Sequence, residues 1–132
     1  MRTLFLVAAG FLAAGLAFGR EIPITILHTT DLHGHVLPST SYEGDRQLGG
    51  LLRCATLIEG VRRDQRNVLL VDCGDLVQGS IESWLTKGKV MTRALDALGY
   101  DAWVPGNHDL DWGLDAFRVL HDSTSVPMLA AN

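Results

Sequence analysis

Four short apolar runs, separated by amphipathic stretches, constrain this chain more tightly than any other feature. Ile22 to His28 is rich in β-branched residues and predicts a strand, with Pro23 tolerated at its start. Val68 to Val71 is continuously apolar between polar neighbours, the pattern of a strand covered on two faces. Ala102 to Val104 predicts a short third strand, and Val126 to Ala130 a fourth. The first two intervening helices show one-sided apolar spacing, with Leu51, Cys54, Ala55, Ile58 and Val61 in one and Val90, Met91, Ala94, Leu95 and Leu98 in the next. Gly99 stops the second, and Leu114, Phe117 and Leu120 mark a third. The order βαβαβαβ predicts an α/β fold with a mostly parallel sheet and right-handed crossovers.

Open α/β sheets gather ligands outside the carboxyl ends of their strands. Three polar motifs fall at such ends: Asp31-Leu32-His33, then Gly74-Asp75, then Gly106-Asn107-His108-Asp109. Asp31, Asp75, Asn107, His33 and His108 among them offer two carboxylates, an amide oxygen and two imidazoles, a donor set suited to hard or borderline divalent cations. Asp31 and His33 lie two apart, so in an extended segment their side chains point the same way and chelate one ion. Taken singly, Asp75 or Asn107 is more often a turn or cap residue. The conjunction of the three motifs makes a metal-dependent hydrolase the leading reading. The loop from Gly34 to Gly50, with Pro38 and a Ser/Thr-rich stretch, borders this edge as a possible substrate mouth.

Residues 1–19 read as a signal peptide: a short cationic start, an almost wholly apolar run from Leu4 to Phe18, and small residues at Ala17 and Gly19. The run is short for a membrane span. The expected location is therefore periplasmic or secreted, without stable membrane association after cleavage. The remaining 113 residues carry a net charge of −5. Mild acidity and scattered arginines exclude a basic stripe, and with it nucleic acid as a binding partner. Arg53, Arg62, Arg63 and Arg66 read as a solvated helix face, and Cys54 and Cys73 as buried free thiols rather than a bridge. His28 reads as a core or rim residue, His35 as peripheral to the site, and His121 as a helix-end residue favoured by the dipole. Trp84, Trp103 and Trp112 suit base stacking and core packing equally.

In sequence, the blocks resemble the calcineurin-like metallophosphoesterase superfamily, whose signature runs D-x-H, then G-D, then G-N-H-[DE]. The resemblance is closest to its 5′-nucleotidase branch. It is carried by Leu27-His28-Thr29-Thr30-Asp31-Leu32-His33-Gly34-His35 and Gly74-Asp75-Leu76-Val77-Gln78-Gly79-Ser80. Leu98 to Ala102, leading into Gly106-Asn107-His108-Asp109-Leu110-Asp111-Trp112-Gly113, supplies the third block. The resemblance implies half of a four-layer sandwich, with residues 20–132 the N-terminal part of a catalytic domain. It implies Asp31 and His33 as ligands of one metal, Asp75 as a bridge to a second, and Asn107 on that second ion. It assigns His108 to the scissile phosphate and Asp111 to orienting His108. Two divalent ions (Mn, Zn, Co or Fe) are the implied cofactors, and a small phosphate ester, a 5′-nucleotide or a related nucleotide ester, the implied substrate.

The resemblance also implies histidines from blocks downstream of the fourth strand, which do not occur before Asn132. Two expectations follow. One is the N-terminal part of an exported dimetal phosphoesterase; the other is a catalytically incompetent fragment that binds metal weakly. Relatives acting on cyclic nucleotides, nucleotide sugars or sulfur esters share the same blocks. A sheet or helix face left without the family's second sheet is expected to be apolar and exposed.

Overall fold

The computed structural model describes residues 20–40, 43–44 and 48–131, so the expected signal peptide lies outside the described residues. Its elements are β1 (Thr25–Thr29), α1 (Leu51–Asp64), β2 (Val68–Asp72), α2 (Ile81–Thr86), α3 (Lys89–Leu98), β3 (Ala102–Trp103), a 3₁₀ turn (His108–Leu110) and α4 (Leu114–His121). The three strands form one parallel sheet in the order β1-β2-β3. This is the α/β class that the alternating pattern predicts.

The larger differences from the sequence reading lie in β1, the fourth strand and α2. β1 begins at Thr25 rather than Ile22, because Pro23 has no N–H to donate and the first pairing bond runs from Thr25 N–H to the Asn67 carbonyl at 2.8 Å. The fourth strand is reduced to one parallel bridge between Trp103 and Met128, flanked by Pro127, which accepts from Trp103 but cannot donate onward. Helix α2 is additional. Ser80 caps it by accepting from the Ser83 N–H, and Ser83 is the residue it buries.

The register decides where the core sits. Thr25, Leu27 and Thr29 stand beside Val68, Leu70 and Asp72, and Trp103 stands beside Asp72. This face meets the helices: Leu70 and Trp103 are buried with Leu51 and Ile58 of α1, Met91 and Leu95 of α3, and Leu120 of α4. The other face carries Ile26 beside Leu69 and His28 beside Val71 and Ala102. Ile26 is 63 % exposed and Leu69 40 %, so β2 is not covered on both faces as its apolar run predicts. The exposed apolar sheet face agrees with the expectation drawn from the family resemblance.

Several side chains take different roles from those expected of them. Arg62 is not merely solvated: its guanidinium donates to the carbonyls of Leu98 and Gly99, closing the end of α3. Gly99 supports that end in the left-handed conformation at φ 63°. Cys54 and Cys73 are free, as expected, but neither is buried; Cys54 is half-buried and Cys73 is exposed just past the end of β2. His28 and His35 are exposed, and His121 pairs with the neighbouring Asp122 at 2.9 Å. Trp103 belongs to the core and Trp84 to the surface. Among the described residues no helix is long and apolar enough to cross a membrane.

Candidate metal centre

Beyond their last paired residues β1 and β2 do not separate. Asp31 N–H donates to the Gly74 carbonyl, His33 N–H to that of Asp75 and Gly34 N–H to that of Leu76, all at 2.8–2.9 Å. These bonds fold both segments back toward each other and draw Asp31, His33 and Asp75 together. One ligand atom from each lies within 4.8 Å of the other two. It is not an extended segment that aligns Asp31 with His33. Asp31, His33 and Asp75 all have left-handed backbones, at φ 54°, 46° and 55°, and Lys87 is the other described non-glycine residue that does. Such conformations cost on the order of 1 kcal/mol or more each and persist where the surroundings over-determine them. Their concentration at these three residues marks the place where the fold holds strain.

The donor atoms suit a cation. His33 Nδ1 lies 2.9 Å from the Gln78 carbonyl. A carbonyl only accepts, so Nδ1 carries a proton, and in the neutral ring the lone pair falls on Nε2, 3.9 Å from Asp31 Oδ1. An imidazole held in one tautomer by a backbone carbonyl is the usual support behind a metal-ligating histidine. Thr30 Oγ1 donates to Asp31 Oδ2 at 2.5 Å and turns that carboxylate. The residues therefore fit a divalent ion by donor chemistry, spacing and tautomer.

The third motif closes the other side. His108 N–H donates to Asp75 Oδ1 at 2.9 Å, and the rings of His33 and His108 meet edge to face with centroids 5.3 Å apart. His108 Nδ1 lies 2.8 Å from Asp111 Oδ2, and this bond raises the His108 pKa above the usual histidine value. The structure thus brings Asp31, His33, Asp75 and the His108–Asp111 pair to one edge. Asn107 is exposed at the start of the 3₁₀ turn, one residue from the Gly106–Asp75 contact.

Two buried carboxylates beneath this edge carry no role in the sequence reading. Asp72 closes β2, accepting from Thr29 Oγ1 at 2.6 Å and from Gly74 N–H at 3.0 Å, with Tyr100 OH 2.9 Å from the same threonine. Burial pushes its pKa up to about 6. Asp109 is 2 % exposed and accepts from three backbone N–H groups. Burial raises its pKa too, against those bonds. For Asp72 the signal was available: an acid directly after four apolar residues is a buried polar group that needs partners.

The calcineurin-like phosphoesterase family profile matches residues 24–129. The 5′-nucleotidase of Bos taurus is 39 % identical over 120 residues, 86 % of this chain and 21 % of that protein. The snake venom 5′-nucleotidase of Naja atra is 40 % identical over 115 residues, 83 % of this chain and 22 % of that protein. Among solved structures, a calcineurin-like phosphoesterase from Bacillus subtilis superposes with a TM-score of 0.69 at 31 % identity, covering 83 % of this chain and 36 % of that one. The chain spans about a fifth of the length of the curated relatives it matches. With the profile running from β1 to the Met128 bridge, across all three motifs, the chain belongs to the calcineurin-like phosphoesterase family.

Proposed function

We propose that residues 20–132 form the N-terminal part of a catalytic domain that hydrolyses 5′-nucleotides or related nucleotide phosphate esters through a two-metal site. Asp31 and His33 would hold one ion, with Asp75 serving both and Asn107 the second. The observation that carries this reading is His33, with Nδ1 committed to the Gln78 carbonyl and Nε2 turned toward Asp31. When bound, divalent ions supply charge neutralisation at the phosphoryl oxygens and a nucleophile at neutral pH. His108 then faces the leaving group. Its bond to Asp111 fixes the tautomer and favours the imidazolium, which donates a proton to the departing oxygen and contributes on the order of a hundredfold. Substrate class comes from the relatives named 5′-nucleotidase, and export from the venom relative together with the leader-like start of the chain.

The chain spans about a fifth of the length of the curated relatives it matches, and on that ground we carry a second reading, in which this chain binds metal without turning substrate over. The purified chain is titrated with Mn²⁺ and assayed for phosphate release from a 5′-nucleotide. Turnover that is lost in His108→Ala with metal binding retained supports the enzyme reading. Metal binding without turnover supports the second, and no metal binding removes both.

A further inference from the structure

We propose that Asp109 is a positioning residue: its carboxylate clamps the loop carrying Asp75 to the loop carrying Asn107 and His108, and so sets the geometry in which the proposed ions are held. This deepens the two-metal reading and rests on it. Asp109 Oδ1 accepts from Leu76 N–H and Val77 N–H, both at 2.9 Å, while Oδ2 accepts from Gly106 N–H at 2.8 Å. Leu76 directly follows Asp75, and Gly106 directly precedes Asn107. The bond to Gly106 alone is a local cap of the 3₁₀ turn; the bonds to Leu76 and Val77 cross 33 and 32 residues of sequence and have no such explanation. Leu76 and Val77 are fully buried, so water cannot replace the carboxylate as their acceptor.

The chemistry of the clamp requires an acid. A carboxylate has lone pairs on both oxygens, enough to accept all three N–H groups. An asparagine has one accepting oxygen and one donating nitrogen. In either orientation it turns a donor toward a donor, freeing the Gly106 side or the Leu76–Val77 side. The two loops then shift relative to each other. Supporting groups of this type change metal affinity by about 10–100-fold when altered.

The test compares wild type, Asp109→Asn, Asp109→Glu and His33→Ala by Mn²⁺ titration and by the visible spectrum of the Co²⁺ form, each well below its melting temperature. We expect Asp109→Asn to keep its far-ultraviolet circular dichroism, bind Mn²⁺ about 10–100-fold more weakly and change the Co²⁺ spectrum. Asp109→Glu, which restores an acceptor at both oxygens, should recover part of the affinity. A purely structural role would lower the melting temperature without moving affinity or spectrum. Asp109→Asn binding like wild type, while His33→Ala has lost binding, overturns the positioning role and leaves the metal site standing. Wild type binding neither ion overturns both.

Discussion

Gly106→Ala puts the loop geometry to its most direct test. A methyl at Gly106 would lie 2.2 Å from Asp75 Oδ1, 2.3 Å from Asp75 N and 2.8 Å from Asp75 Cγ. Relief requires Asp75 to retreat by about 1 Å to reach ordinary contact distances. It has nowhere to go, because its carbonyl is held by His33 N–H, and Gly74 already abuts Gly106, with room for no side chain there. Overpacking of this kind costs about 1–3 kcal/mol. Loss of the bond from His108 N–H to the Asp75 carboxylate adds about 1.5–3 kcal/mol. A combined loss of roughly 2.5–6 kcal/mol lowers the melting temperature by at least about 10 °C in a domain of this size. Thermal unfolding followed by circular dichroism, with chelator and again with Mn²⁺, measures it. Gly60→Ala in α1 is the comparator: the nearest atom is Arg63 Nη2 at 3.8 Å, and a helical alanine stabilises by about 0.5–1 kcal/mol. Gly106→Ala melting within about 2 °C of wild type would refute the reasoning.

Two pH-linked outcomes are expected. In chelator, the native Asp72 pKa of about 6 stands above its ordinary 3.8, so between those values the folded chain holds a proton that the unfolded chain releases. Its contribution is therefore greatest below about pH 4 and falls by about 3 kcal/mol as pH rises through 6. Urea midpoints across that window should lose this slope in Asp72→Asn; identical slopes would remove the carboxylate as its source. Asp111→Asn should move the His108 titration to lower pH by nuclear magnetic resonance, since the Asp111 bond is the main cause of its raised pKa. An unmoved midpoint would show that the bond does not persist in solution.

The elements that were legible in the sequence are those whose burial repeats along the chain. Helix α3 announced itself because Met91 and Leu95 fall on one face and are buried. Helix α2 did not, because Ile81, Trp84 and Leu85 are exposed and Ser83 is what it buries. That Asp31, His33 and Asp75 would meet was legible from residue type and from position after each strand. The backbone there was not: the left-handed turns at Asp31, His33 and Asp75 follow from bonds between segments 42 or 43 residues apart, which no local pattern encodes. Asp109 was visible as a letter in a motif, but its three partners lie in two loops that only the folded chain brings together.

Those three left-handed residues bear on how such a chain can change. A glycine at 31, 33 or 75 would relax the local backbone and remove a donor in the same step. Under the proposed metal role, selection for heat tolerance and selection for cation retention pull on the same three positions in opposite directions.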